Sequence, residues 1–125
     1  NKEIDEIIDE RTKMEAKKGN VVLDGLLAGW MARDEANIKI YLTASESVRV
    51  ERIARRDGIT YDAARKATLL REELERIRFK RFYGIDITDT SIYDLALNTG
   101  LLSVKANIKV IENFIKEYIM EYGRR

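Results

Sequence analysis

The sequence predicts an α/β domain built around a mostly parallel sheet. Three observations lead there. Helix-like and strand-like segments alternate along the chain, a pattern that calls for right-handed crossovers between parallel strands. The length of 125 residues suits one domain. A content of 45% hydrophobic and 36% charged residues supplies a real core and excludes intrinsic disorder.

Residues 2–18 read as a helix, with Ile4, Ile7, Ile8 and Met14 at helical spacing among many charges. Lys17 and Lys18 followed by Gly19 form its stop signal. Val21, Val22 and Leu23 are a short apolar run closed by Asp24-Gly25, the pattern of a buried strand entering a loop. Residues 38–43 are rich in β-branched and aromatic side chains and predict a second strand. Ser45 then serves as an N-cap for a helix carrying Val48, Val50, Ile53 and Ala54, which ends near Gly58. Thr60 is the N-cap of a long helix reaching about Phe82, before Gly84. Residues 92–97 predict a third strand. Ser103 opens a last helix with Ile108, Ile111, Phe114, Ile115, Tyr118 and Ile119 on its inner face.

In a parallel sheet of this kind ligands bind beyond the carboxyl ends of the strands. Those ends are Asp24-Gly25, Thr43-Ala44 and Asn98-Thr99. Three strands make a thin sheet, and a fourth or fifth strand before Asn1 would complete it.

Composition removes several chemistries. The chain has no cysteine, which excludes a disulfide framework, a Cys-ligated zinc and a thiol nucleophile. It has no histidine, which excludes Ser-His-Asp and Cys-His catalysis and any His metal site. No apolar run approaches the roughly 18 residues that a membrane-spanning helix needs. The net charge of +1 does not describe a globally basic nucleic-acid binder.

Charge is nevertheless concentrated. Residues 49–81 hold eleven basic residues, nine of them arginine, against six acids. Such a block suggests an anionic partner, or else a solvated helical face laced with ion pairs. Within it Arg71 and Arg78 are seven residues apart, which places them on one helical face about 10 Å apart. Glu75 lies between them, where it can orient both. Paired guanidinium groups suit a phosphoryl group, because each planar fork binds two oxygens and stays charged. On the preceding helix Arg49, Arg52, Arg55 and Arg56 recur at spacings of three and four, where they could stack on a purine or touch a phosphate. Asp24, at a strand end before Gly25, could orient a substrate hydroxyl or a magnesium-bound water, or else is an ordinary strand-to-loop aspartate accepting backbone N–H bonds.

Four stretches, taken together, resemble the archaeal-type cytidylate kinases of the nucleoside monophosphate kinase family. They are Gly19-Asn-Val-Val-Leu-Asp-Gly-Leu-Leu-Ala-Gly-Trp-Met31, Glu51-Arg-Ile-Ala-Arg-Arg-Asp-Gly58, the run from Arg71-Glu-Glu through Arg78-Phe-Lys to Tyr83-Gly-Ile-Asp86, and Ser91-Ile-Tyr-Asp-Leu-Ala-Leu-Asn-Thr99. The resemblance implies a three-layer P-loop kinase-like fold with helices on both faces of a parallel sheet. Residues 1–125 would form a single partial domain, with a helical, arginine-rich lid over about 49–83. It implies a cytoplasmic enzyme that moves the γ-phosphoryl of ATP, with Mg²⁺, to CMP or dCMP. On the same pattern Arg71 and Arg78 match the arginines that stabilise the transferring group, and Arg52 matches the arginine beside adenine. Asp24 and Gly25 match the motif near the acceptor phosphate. Asp9 and Arg11 fall where the substrate-side helix ends. Phosphoryl transfer asks for positioning and charge stabilisation more than acid–base chemistry, so the lack of histidine is no obstacle.

Two departures from the pattern bear on function. No Gly-x-x-x-x-Gly-Lys-Ser/Thr occurs in the chain. In the family that phosphate-cradling loop lies near the N-terminus. The expectation is that it precedes Asn1, that this chain is the C-terminal two thirds of such a kinase, and that alone it would neither bind ATP tightly nor turn over. The second departure is Leu26, where the family usually has an arginine gripping the acceptor phosphate. Leu26 favours, as one alternative, a kinase for a different small acceptor. A non-catalytic module holding RNA or another anion on the block 49–81 is the other.

Overall fold

The computed structural model describes residues 2–18 and 21–123. The elements in order are α1 (Lys2–Lys18), α2 (Ala28–Met31), β1 (Ile40–Thr43), α3 (Glu46–Asp57), α4 (Tyr61–Tyr83), β2 (Leu95–Asn98) and α5 (Val104–Tyr122). The chain is therefore an α/β protein, and β1 pairs with β2 in parallel, with Ile40 opposite Leu95 and Thr43 opposite Asn98.

Three of the helices begin where a side chain meets an otherwise unpaired N–H. Ser45 Oγ accepts from Val48, Thr60 Oγ1 from Ala63 and Ser103 Oγ from Ala106, all three as the sequence predicts. Gly58 ends α3 in the left-handed region at φ 65°, where a side chain would be strained, and the following Ile59 N–H returns to the Ala54 carbonyl. The same device closes α4 at Gly84.

Register in the sheet is set just before the strands start. The Lys39 N–H donates to Asp94 Oδ2 at 2.8 Å, and the Asp94 N–H donates to the Lys39 carbonyl at 2.7 Å. The ring of Tyr93 rests on that of Tyr41, centroids 5.1 Å apart, and burial raises the pKa of the Tyr93 phenol. Buried apolar side chains gather in two places. Leu27 and Ala32 flank α2, and Ala44, Val50, Ala64 and Phe79 lie at the end of β1 and along α3 and α4.

The structure corrects the sequence reading in three respects. Val21–Leu23 is not a strand: it pairs with no strand among the described residues, and Val22 is 98% exposed. A strand exists only as one of a pair, and here a cavity of about 330 Å³ separates this segment from residues 38–40. The third predicted strand is shifted, forming at Leu95–Asn98 because the Lys39–Asp94 lock starts the pairing there. Finally, the apolar stripe of α1 is exposed, and that of α5 is only partly covered, with Ile111, Phe114, Tyr118 and Ile119 half-buried. Ile4, Ile7, Ile8 and Met14 on α1 are exposed, as are Ile108 and Ile115 on α5, and Asn107 is the buried residue of α5. The stop signal at Gly19 lies outside the described residues; Lys17 and Lys18 do occupy the last turn of α1.

Candidate functional site

The parallel pairing of β1 and β2 puts both carboxyl ends on the same side, and a cavity of about 500 Å³ opens there. It is lined by Thr43, Ala44, Arg49, Arg52, Thr99 and Asn107, backed by apolar residues of α5. This is the crevice where the topology directs a ligand.

Two arginines of α3 face it with different commitments. Arg49 donates from Nε and Nη2 to the two oxygens of Glu72, each at 2.9 Å, and from Nη1 to the Ala44 carbonyl at 2.7 Å. The Glu72 hydrogen bonds raise the already high pKa of Arg49, so its charge is fixed. Arg49 is thus a strut between β1, α3 and α4, not a side chain open to a purine or phosphate. It also brings the turn of α4 that bears Arg71 to the carboxyl end of β1. Arg52 makes no ion pair among the described residues. It donates from Nη1 to Thr99 Oγ1 at 2.9 Å and from Nη2 to the Thr99 carbonyl at 3.0 Å.

On α4, Arg71 stands 4.0 Å from Glu75, the geometry expected of residues four apart on one face. Arg56 holds the Asp57 carboxyl below its usual range, and the charge of Arg71 contributes to the same effect, so Arg71 lies within electrostatic reach of the end of α3. Arg78 is half-buried, with its guanidinium carbon 4.8 Å from the centroid of the Phe79 ring. Stacking on an aromatic face helps to hold the guanidinium in position.

The remaining predicted residues are spread over α1 and the loop after it. Asp24 is exposed in that loop, and Gly25 turns the chain by accepting the Ala28 N–H at 3.2 Å. Asp9 and Arg11, two residues apart on a helix, point in opposite directions. Asp9 is 7% exposed, and its Oδ2 has no hydrogen-bond partner among the described residues. Arg11 is exposed and paired with Glu15 at 2.8 Å. Leu26 is half exposed beside Gly25.

The arginine block is largely self-neutralised. Arg49, Arg55, Arg56, Arg65, Arg71 and Arg76 each hold an acid, at 2.6 to 4.0 Å. That is the ion-paired helical face the charge pattern allowed. Sequence reasoning named Thr99 only as a strand end, without its bonds to Arg52, and missed Glu72 and Asn107 as parts of this region. The available signals were an acid one residue after Arg71, a threonine at a strand end, and one polar residue on an otherwise apolar helical face. Among the described residues no group of three or more acids converges to cage a metal ion, and no helix is long and apolar enough to cross a membrane.

Residues 1–101 match the cytidylate kinase-like family. The chain is 48% identical over 118 residues to a protein named cytidylate kinase from Staphylothermus marinus, covering 94% of this chain and 67% of that protein. It is 43% identical over 113 residues to a cytidylate kinase from Ignicoccus hospitalis, covering 90% and 66%. It is 44% identical over 115 residues to one from Pyrobaculum calidifontis, covering 92% and 62%. The chain thus spans about two thirds of the length of these relatives.

Proposed function

This chain belongs to the cytidylate kinase-like family, and from that premise we propose that it carries much of the site of a phosphotransferase moving the γ-phosphoryl of ATP to CMP or dCMP. In that reaction a phosphate oxygen of the acceptor forms a bond to the γ-phosphorus as the bond to the ADP oxygen breaks. The products are ADP and CDP or dCDP. The fold would be a three-layer P-loop kinase-like sheet, with the hairpin of α3 and α4 acting as lid.

The observation that carries this reading is α4, where Arg71 and Arg78 share a face with Glu75 between them, in a chain closely similar to proteins named cytidylate kinase. Charge in phosphoryl transfer spreads over the equatorial oxygens of the moving group, and two guanidinium forks on one face meet it with fixed charge. Arg52 stands at the strand ends, where the adenine of the donor would lie against it. Asp24 and Gly25 would take the acceptor side. Asp9 brings a buried carboxylate oxygen with no partner among the described residues, suited to accept a hydrogen bond from a bound acceptor. Arg11 would have to leave Glu15 to join them. Among the described residues no cage of acids gathers for Mg²⁺.

The test is turnover of the natural protein with ATP against CMP, dCMP, UMP and AMP. CMP and dCMP are expected to be phosphorylated. Arg78→Ala should lower kcat by about 10²–10³ with little change in thermal midpoint, as when one charge-stabilising donor is removed. Turnover near that of the unaltered protein would sink the assignment of Arg78. Preference for an acceptor outside the cytidine nucleotides would favour the second reading, which rests on Leu26 in place of a phosphate-gripping arginine. Salt-dependent RNA binding without phosphorylation of CMP would favour the anion-binding module.

A further inference from the structure

Thr99 is where the end of β2, the end of β1, α3 and α5 are joined. Its N–H and its hydroxyl both donate to the Thr43 carbonyl, at 2.8 and 3.1 Å. Its hydroxyl and its carbonyl accept from the two terminal nitrogens of Arg52. The same carbonyl accepts from Asn107 Nδ2 at 3.1 Å, and that nitrogen also lies 3.4 Å from the Leu102 carbonyl. Every polar group of Thr99 is therefore engaged, and its one carbonyl is gripped from both walls of the cavity.

We propose that Thr99 and Asn107 are positioning residues for Arg52, holding its guanidinium in one plane across the mouth of the cavity so that the donor's base meets a preset cation surface. This rests on the donor-side reading of Arg52 given above.

Three observations argue for it. An arginine on an exposed helical face has many rotamers, and two bonds to a single residue select one of them before the ligand arrives, which removes that ordering cost from binding. The threonine hydroxyl is not needed for the sheet, because the backbone pairing from Ile40↔Leu95 to Thr43↔Asn98 and the Thr99 N–H already fix the register. What the hydroxyl adds is its bond from Arg52 and a second bond to the Thr43 carbonyl, which the Thr99 N–H already holds. Asn107 is 7% exposed, and its Oδ1 has no partner among the described residues. An apolar residue would avoid that unsatisfied oxygen; what the amide offers in exchange is its nitrogen, which holds the loop carbonyl that also binds Arg52.

The test uses the natural protein with Thr99→Val, which keeps the shape and the backbone bonds and removes the hydroxyl. The KM for ATP should rise about fivefold, in line with loss of a hydrogen bond to a charged partner at a solvated site. The KM for CMP and kcat should stay within about twofold. Thr99→Ser should restore the KM for ATP. In an Arg52→Ala background Thr99→Val should add nothing further to that KM, because its route of action is gone. Additive effects in the two backgrounds, an equal rise in the KM for CMP, or a lowered thermal midpoint with the KM for ATP unchanged would each overturn the positioning role. An Arg52→Ala protein with an unaltered KM for ATP would instead overturn the donor-side reading itself.

Discussion

Thr68 lies in α4 with 1% exposure, and its hydroxyl has no hydrogen-bond partner among the described residues. A buried, unsatisfied hydroxyl costs stability, and its replacement by an apolar group of the same shape removes that cost. Valine has the same branched shape and nearly the same helix propensity. Thr68→Val should therefore raise the unfolding free energy by about 1 kcal/mol, read as a higher urea midpoint at unchanged slope. A lower midpoint would mean that the hydroxyl has found a partner, such as a water molecule. The same dependence on neighbours separates Arg49 from Arg52. They are the same residue type on the same helix, yet one is spent on Glu72 and the other is left to Thr99. Nothing in their spacing announces this, because the acid that claims Arg49 is 23 residues away in sequence. The i,i+4 relation of Arg71 to Glu75 was legible because it is local, and the observed 4.0 Å separation agrees.

Elements divide along the same line. A helix satisfies its own backbone, so its limits follow from local residues, and Ser45, Thr60 and Ser103 marked three starts correctly. A strand depends on a neighbour that the local sequence does not specify. Residues 38–43 and 92–97 found each other, the first shortened and the second shifted to 95–98, while Val21–Leu23 met none among the described residues. The short helix α2 was not legible either, since its four residues carry no period. Its position depends on Gly29, where an added Cβ would lie 2.6 Å from Tyr93 Cε1. The Tyr93 ring is itself backed by Tyr41 of β1, so it cannot easily retreat. Alanine is the better helix former by about 1 kcal/mol, yet Gly29→Ala should destabilise by about 1–3 kcal/mol through overpacking. In a Tyr93→Ala background the same change should become neutral or favourable, measured as a double-mutant cycle of chemical denaturation. A negligible loss in the unaltered background would show that α2 does not depend on this close approach.

At the scale of the molecule the question is how so much apolar surface is tolerated. Parallel strands are ordinarily buried on both faces, and two strands make a small sheet for a chain of 125 residues. Around it Ile4, Ile7 and Ile8 of α1, Leu70, Leu74 and Ile77 of α4, and Val22 in the loop are all exposed. These residues form stripes, at spacings of three and four along α1 and α4, which is the pattern of a face meant to be covered. Contiguous apolar surface of this kind drives association in water. The polypeptide of residues 1–125, prepared alone, should therefore run above its 14.5 kDa monomer mass at about 50 μM in light scattering coupled to gel filtration, a concentration at which moderate apolar association is populated. It should also enhance the fluorescence of a hydrophobic dye, as species with uncovered apolar surface do. Replacing Ile4, Ile7 and Ile8 together by glutamine should reduce both signals while far-ultraviolet circular dichroism keeps its helical content, because those side chains are exposed before the change and their loss removes only the contact. A strictly monomeric polypeptide with no dye response would mean that the stripes find cover within a single chain, by a packing of α1 and α4 different from the one described.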